Sequence, residues 1–213
     1  MPYSVQFTLY VVIASLLGLF FLGLFLYGPI KRSLLRHQTL QMYYRTVRRV
    51  TLDNDFYLIN HWSLADNEGD SGVHIDHIIF GDKFIYVIRD RYYQGAISAK
   101  AADASWIYYF KKNKKMYIDN PLINNHIRAS RLATVSGLDP KFFISIVLVN
   151  DDCLVTPFAN QGPDNFLVPL SRLGKFIAAK EKDPSVPAFT PEEIAGAVRD
   201  LAELNQSKSN GHD

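Results

Sequence analysis

The N-terminal segment is the feature that most constrains this chain, because residues 1–30 contain no Asp, Glu, Lys or Arg. The run from Phe7 to Leu26 is apolar except for Thr8 and Ser15. About 20 such residues, at 1.5 Å each, form a helix that crosses a bilayer. A cleaved signal peptide or a buried core helix are the alternatives, but the uncharged start lacks a basic n-region and the run lacks a polar stripe. We therefore expect residues 1–30 to be a transmembrane anchor.

Basic residues follow the apolar run at once, and no acidic residue occurs before Asp53. Positive charge beside a membrane span is retained on the cytoplasmic side, so we expect a single-pass protein of the cell membrane with its N-terminus outside and its C-terminal domain in the cytoplasm. Contact with anionic lipid headgroups is the simplest role for the residues nearest the span. These candidates are Lys31, Arg32 and Arg36.

The remainder of the chain is long enough for one domain with its own core. Residues 31–50 carry apolar side chains at helical spacing and predict a basic, amphipathic juxtamembrane helix. We expect residues 51–205 to form the domain and residues 206–213 to be a disordered tail. The lone Cys153 excludes a disulfide within the chain and agrees with a reducing compartment.

Alternating and continuous apolar runs predict the strands of this domain, and capping signals predict its helices. The order favours a mixed α/β (α+β) fold with a central sheet flanked by helices. Predicted strands lie at 56–60, 73–80, 83–91, 105–118 (a hairpin), 142–149, 154–156 and 166–168. Predicted helices start at Asn120-Pro121, at Ser171 and at the capping box Thr190-Pro-Glu-Glu193, and end near 135, 179 and 205.

Two segments carry a resemblance to a known family: IDHIIFGDKFIYVIRDRYYQG at 75–95 and NPLINNHIRASRL at 120–132. With Trp106 between them, they resemble the nuclease-related domain (NERD) family of the restriction-endonuclease-like PD-(D/E)xK superfamily. The resemblance extends over roughly Leu40 to Asn205. It implies a restriction-endonuclease-like mixed sheet and metal-dependent hydrolysis of phosphodiesters.

That chemistry needs two carboxylates to hold a divalent metal and a lysine beside them. The resemblance places the first carboxylate at Asp76, but Arg89 stands at the position of the second and Arg91 at that of the lysine. Arginine offers no lone pair to a metal and stays protonated. Strand alternation turns Asp90 to the opposite face. We therefore expect no catalytic residues, no metal and no cofactor here, with Mg²⁺ implied only if a shifted register recruits Asp90.

The remnant positions Asp76, Arg89, Arg91 and Asn124, where the family commonly has Gln, allow two interpretations. Asp76 and the arginines form a structural ion pair, or the arginines bind an anion such as a nucleic-acid phosphate. The hairpin tip allows two more, since its lysines are either simply solvated or follow a phosphate backbone. These lysines are Lys111, Lys112, Lys114 and Lys115.

Taken together, these features predict a catalytically inactive, membrane-anchored NERD-like module that binds nucleic acid or another anion, or acts as a scaffold, at the cytoplasmic membrane face. The alternatives are a membrane-associated metal-dependent nuclease with a shifted site and a protein-interaction subunit of a membrane complex. The expected partners are the bilayer, DNA or RNA, and a membrane protein. No small-molecule substrate is expected.

Overall fold

The computed structural model of the chain describes residues 3–36, 40–64, 72–100, 102–110, 114–156 and 162–206. The chain divides into two compact units, Met1–Thr39 and Leu40–Asp213. Each unit is described by itself below.

The first unit contains one long helix, α1, at Tyr3–Arg36. Its stretch Tyr10–Tyr27 has a mean hydropathy of 2.3, has no buried side chains, and is long and apolar enough to cross a membrane. The expected N-terminal helix is therefore present and continues past residue 30. Lys31, Arg32 and Arg36 lie in its last turns, and their side chains fall outside the described part of the chain.

The second unit begins with helix α2 at Leu40–Asp53. Residues 31–36 thus belong to α1 and residues 40–50 to α2, while residues 37–39 are outside the described residues. The predicted apolar stripe faces the domain core, where Tyr43 and Val47 are buried. The helix ends at Asp53, and Asp55 follows with a φ of 57°, which an Asp tolerates better than most residues.

The predicted mixed α/β fold is confirmed, but the unit contains two mixed sheets where the sequence predicted one central sheet. The larger sheet has the strand order β1-β2-β3-β7-β9, and the smaller has the order β6-β5-β4-β8. The strands are β1 Tyr57–Leu64, β2 Val73–Phe80, β3 Ile85–Arg91, β4 Gly95–Ser98, β5 Ser105–Phe110, β6 Lys114–Asp119, β7 Phe143–Val149, β8 Leu154–Thr156 and β9 Asn165–Pro169.

Helices cover both faces of the larger sheet. The other helices are α3 at Pro121–Ser136, α4 at Leu173–Lys180 and α5 at Pro191–Gln206. Side chains of α2 and α4 pack in one core on one face, and side chains of α3 and α5 pack in another on the opposite face. All seven residues of β7 are buried between these layers, and β7 runs parallel to β3 and β9. A strand covered on both faces reads as a continuous apolar run, which explains why its sequence predicted it.

Of the three predicted N-terminal helix caps, two are confirmed and one is wrong. The Asn120 side chain accepts a hydrogen bond from Leu122 N–H, and Thr190 and Glu193 form the expected reciprocal capping box. The predicted cap at Ser171 is wrong: α4 has no side-chain cap. Ser171 instead donates its N–H and hydroxyl to Asp151 Oδ1, at 3.0 and 2.7 Å.

The first strand is longer than predicted, because the sequence favoured only residues 56–60. It continues to Leu64 and stays paired with β2. Trp62 explains the extension, since its ring is fully buried and its Nε1–H donates to Leu201 O of α5 at 2.8 Å. Of the predicted tail at 206–213, Gln206 is the last residue of α5 and residues 207–213 lie outside the described residues.

Candidate anion site beside the β2–β3 hairpin

The site begins where β2 and β3 stop pairing. Their register runs from Phe80 opposite Ile85 to His77 opposite Ile88, and no further pair follows. Asp76, the next residue along β2, bridges the gap with its side chain. Its Oδ2 accepts a hydrogen bond from Asp90 N–H at 2.9 Å, and its Oδ1 accepts one from Arg89 Nη1 at 2.8 Å. The carboxylate therefore replaces a backbone acceptor and pairs with a cation at the same time.

A histidine also approaches this carboxylate. His74 Nε2 lies 3.3 Å from Asp76 Oδ1, and His74 Nδ1 lies 3.0 Å from Ser63 Oγ. The His61 ring stacks on His74 with a centroid separation of 6.2 Å. Asp76 thus has polar neighbours on β2 and β3, and both of its oxygens are hydrogen-bonded.

Backbone strain marks the same place on β1. His61 has a φ of 52° in the middle of the strand, between the pairs Asn60–His77 and Trp62–Ile75. A left-handed residue other than glycine costs about 1–3 kcal/mol and persists only where the surroundings enforce it. The strain lies across from Asp76, so both β1 and β2 depart from regular pairing at the candidate site.

Three arginines lie close together on the α3 side of the sheet. Burial lowers the pKa of Arg128, and repulsion by Arg89 and Arg91 lowers it further. Burial also lowers the pKa of Arg89; Asp76 opposes this shift and Arg91 adds to it. Two guanidinium nitrogens of this cluster, Arg89 Nε and Arg128 Nη1, are buried without a hydrogen-bond partner. We name Arg89, Arg91 and Arg128 the arginine cluster. The cluster is a cationic site in which two buried N–H donors have no acceptor.

Arg128 was missed by sequence reasoning, which looked for an amide on α3 and selected Asn124. Asn124 is only partly buried, whereas Asn125 is fully buried. The Asn125 Nδ2 donates to Val87 O, Ser145 Oγ and Ile146 O, at 2.9, 2.9 and 3.2 Å, and so fixes α3 on the sheet. A signal for Arg128 was available, because residues four apart share one face of a helix and Arg128 follows Asn124 by four.

Asp90 points to the opposite face of the sheet, as strand alternation requires. Its Oδ2 lies 3.0 Å from His77 Nε2, and both side chains are almost fully buried. His77 Nδ1 lies 2.6 Å from Asn60 Oδ1, and the Tyr43 hydroxyl donates to Arg91 O at 2.8 Å. The Asp90 carboxylate is therefore held by His77 on the opposite face, while only its backbone N–H reaches Asp76.

A family model described as nuclease-related domain matches residues 35–150. This chain belongs to the NERD family. The match includes both strands of the hairpin and the whole of α3, so all residues of the arginine cluster lie within the family domain. Searches of curated proteins and of solved structures each gave no match.

The residues of this NERD domain do not fit the divalent metal that phosphodiester hydrolysis would require. A metal such as Mg²⁺ needs carboxylate oxygens in near-octahedral geometry. Among the described residues Asp76 is the one carboxylate at the site, both its oxygens are hydrogen-bonded, Arg89 pairs with it, and Arg128 lies near enough to interact with it. Among the residues that the structure describes, no group of three His, Cys, Asp or Glu side chains could hold a metal.

The predicted lysines of the hairpin tip separate into two groups. Lys111 and Lys112 are outside the described residues. Lys114 and Lys115 are exposed at the start of β6, opposite Phe110 and Tyr109 respectively. Adjacent residues of a strand face opposite sides, so Lys114 and Lys115 belong to different faces of the smaller sheet.

Proposed function

We propose that this protein is a membrane-anchored NERD-family module that binds a nucleic-acid phosphate in the arginine cluster without cleaving the strand. One observation carries the proposal: Arg89 Nε and Arg128 Nη1 are buried donors without partners, at the position where the family's chemistry would place a metal. A phosphate supplies oxygens for both donors and charge for the guanidinium groups.

The charge balance of the site supports an anion. In the part of the chain that the structure describes, three guanidinium groups lie near one carboxylate, Asp76, and each unpaired buried donor costs about 1–3 kcal/mol. Asp76 pairs directly with Arg89, so Arg91 and Arg128 lack a carboxylate of their own at this site. An oxyanion bound between them removes that cost, and planar guanidinium groups match phosphate oxygens in bidentate geometry.

The same geometry argues against cleavage. Hydrolysis needs a metal or another group to activate water and to stabilise charge on the phosphate. The one carboxylate on β3, Asp90, is paired with His77 on the far face. The arginine cluster can hold a phosphate, but it offers no base for the attacking water.

Helix α1 supports a location at the membrane. It is long and apolar enough to cross a membrane, and every Lys and Arg near it follows the apolar stretch. The proposal places the N-terminus outside and the NERD domain in the cytoplasm, with Lys31, Arg32 and Arg36 against anionic headgroups. Nucleic acid is then held at the inner membrane surface.

The test uses the full-length chain in zwitterionic nanodiscs with fluorescently labelled DNA and RNA, in EDTA and then in Mg²⁺ or Mn²⁺. We expect salt-sensitive binding that ignores EDTA and no cleavage. Arg128→Gln is expected to weaken binding about 10-fold or more, since hydrogen bonds to charged groups contribute about 1.5–3 kcal/mol. Arg199→Gln is the matched control, because Arg199 is an exposed arginine on α5.

Three outcomes would contradict the proposal. Binding unaffected by Arg128→Gln would place the nucleic acid elsewhere. Metal-dependent cleavage lost in Asp76→Ala would make this a nuclease whose site uses a different register. Neither binding nor cleavage would favour a protein-interaction subunit of a membrane complex.

A further inference from the structure

We infer that Tyr108 and Phe110, supported from beneath by the buried Tyr93, form a track that stacks unpaired bases next to the arginine cluster, so that the ligand is single-stranded nucleic acid. This inference rests on the proposed function, because the cluster supplies the phosphate end of the site. We name these three residues the aromatic track.

The aromatic track is continuous with the arginine cluster. The Arg91 side chain makes a hydrogen bond with the Tyr93 hydroxyl. The Tyr93 and Tyr108 ring centroids are 5.3 Å apart, and the Tyr108 and Phe110 centroids are 5.5 Å apart. Tyr93 is itself buried, so it connects Arg91 to the partly exposed rings of Tyr108 and Phe110, which provide the stacking surface.

The track emerges from the core of the smaller sheet. Trp106, Tyr108 and Phe110 occupy alternate positions of β5 and so share one face. Trp106 is fully buried on that face, whereas Tyr108 and Phe110 are only partly buried. Three aromatic side chains that served packing alone would be expected to end in the core. Instead the row continues into solvent-accessible space.

The far end of the track carries positive charge. Lys114 pairs with Phe110 in the β5–β6 register, so the two residues share a face. Arg91 at one end and Lys114 at the other therefore bracket the aromatic rings. This arrangement of cations along a backbone path, with aromatic side chains between them, is how proteins bind single strands without sequence preference.

The rings are held in place before any ligand arrives. Gln94 N–H donates to the Tyr108 hydroxyl at 2.8 Å. The buried Asn150 side chain accepts from Tyr93 N–H at 2.8 Å and donates to Tyr93 O at 3.0 Å. Fixed aromatic rings lose little entropy on stacking. Bases in a duplex hide their faces in the stack, so only unpaired bases can use this surface.

The experiment compares two labelled oligonucleotides of equal length on the full-length chain in zwitterionic nanodiscs, by fluorescence anisotropy. One is oligo-dT, and the other is an abasic strand that has the same phosphates and no bases. Stacking contributes a factor of about 5–150 per base. We expect oligo-dT to bind at least about 5-fold tighter than the abasic strand, and tighter than a duplex of the same length.

Variants then show which residues cause the difference in affinity between oligo-dT and the abasic strand. Tyr108→Ala is expected to reduce oligo-dT binding to the abasic level and to leave abasic binding unchanged. Tyr117→Ala is the matched control, because Tyr117 is a more exposed tyrosine on the opposite face of the same hairpin. Tyr108→Phe keeps the ring and loses only the hydroxyl, so it should retain most of the preference for oligo-dT.

Failure of this inference is distinguishable from failure of the proposed function. If oligo-dT and the abasic strand bind equally and Arg128→Gln weakens both, the phosphate site stands and the aromatic track is overturned. If neither strand binds, both are overturned. The comparison of ligands uses the unmodified protein, so it decides the question even if Tyr108→Ala does not fold.

Discussion

Asp76 and Arg89 are joined by a 2.8 Å ion pair at the point where β2 and β3 separate. Asp76 also accepts the Asp90 N–H, which has lost its strand partner there. The carboxylate is therefore needed to close the end of the hairpin, whether or not a metal is bound. Retention of Asp76 beside two arginines follows from this structural role and does not require catalysis.

The first prediction concerns the stability of this hairpin. Asp76→Ala leaves Arg89 without its counter-ion and Asp90 N–H without an acceptor. Removing one partner of a buried pair costs about 3–5 kcal/mol, and the 15–18% exposure of these side chains reduces that. We expect a loss of about 2–3 kcal/mol in the free energy of unfolding, measured by denaturation in urea.

The control for this prediction is Arg49→Ala. Arg49 pairs with Asp53 at 3.6 Å, but both side chains are mostly exposed. Exposed ion pairs contribute about 0–1 kcal/mol, so the free energy of unfolding should hardly change. Equal effects of the two substitutions would show that the Asp76 pair is as weak as a surface pair.

The second prediction concerns a variant that restores the missing metal-binding carboxylate. Arg89→Glu combined with Arg91→Lys places a carboxylate across from Asp76 and a lysine two residues further on β3. Two carboxylates can hold a divalent ion where one cannot. We expect Mn²⁺ to raise the melting temperature of the double variant and not that of the unmodified protein. No metal-dependent change in either would mean that Arg89 does not occupy the second carboxylate position.

Much of the fold was predictable because its signals are local. The continuous apolar run of β7, the Asn120 cap and the Thr190 capping box each act within a few residues. Of the smaller sheet, β5 and β6 were predicted as a hairpin and β8 as a strand, but β4 and the assembly of a second sheet were not, since β4 pairs with β8 from a distant part of the chain, Leu154–Thr156. Its four residues, Gly95–Ser98, carry no strong pattern of their own.

The site was predictable only along the hairpin. The family resemblance identified Asp76, Arg89 and Arg91, and the structure brings Asp76 and Arg89 together in an ion pair. Arg128 comes from α3, and its place depends on how that helix packs on the sheet through Asn125. Helix docking is a tertiary property that the sequence pattern does not encode residue by residue. The family resemblance also directed attention to Asn124 instead.

The third prediction concerns pH. Burial raises the pKa of Glu181, although hydrogen bonds from the Tyr86 hydroxyl and Lys83 N–H oppose the rise. The native state therefore binds the proton more tightly than the unfolded state. The contribution of Glu181 to stability is full below its ordinary pKa of 4.5 and is lost as pH rises through the raised value.

The measurement is the melting temperature as a function of pH for the unmodified protein and for Glu181→Gln. The difference between the two should favour the unmodified protein most at acidic pH and decline above about pH 4.5. Because the two proteins share all other titrating groups, the difference in melting temperature removes the contribution of those groups. A difference that is constant with pH would contradict the raised pKa.

The fourth prediction tests the connection between the two sheets. Asn150 is fully buried and exchanges two hydrogen bonds with the backbone of Tyr93, where the chain passes from β3 to β4. Asn150→Ala leaves both backbone groups without a partner. We expect a loss of about 2–4 kcal/mol in the free energy of unfolding. Asn54→Ala is the control, since Asn54 is exposed, directly follows α2 and donates to Val50 O of that helix; a similar loss there would contradict a special role for Asn150.

The last prediction tests the orientation of the anchor. In a Cys153→Ser background the chain has no other cysteine, so a single cysteine can be placed at Ser4 or at Ser207. Positive charge on the C-terminal side of the span requires residue 4 outside and residue 207 inside. In sealed, right-side-out vesicles we expect an impermeant maleimide to label Ser4→Cys at once and Ser207→Cys only after detergent is added. The reverse pattern would invert the topology and remove the NERD domain from cytoplasmic nucleic acid, while recovery of the chain outside the membrane fraction would show that α1 is not an anchor.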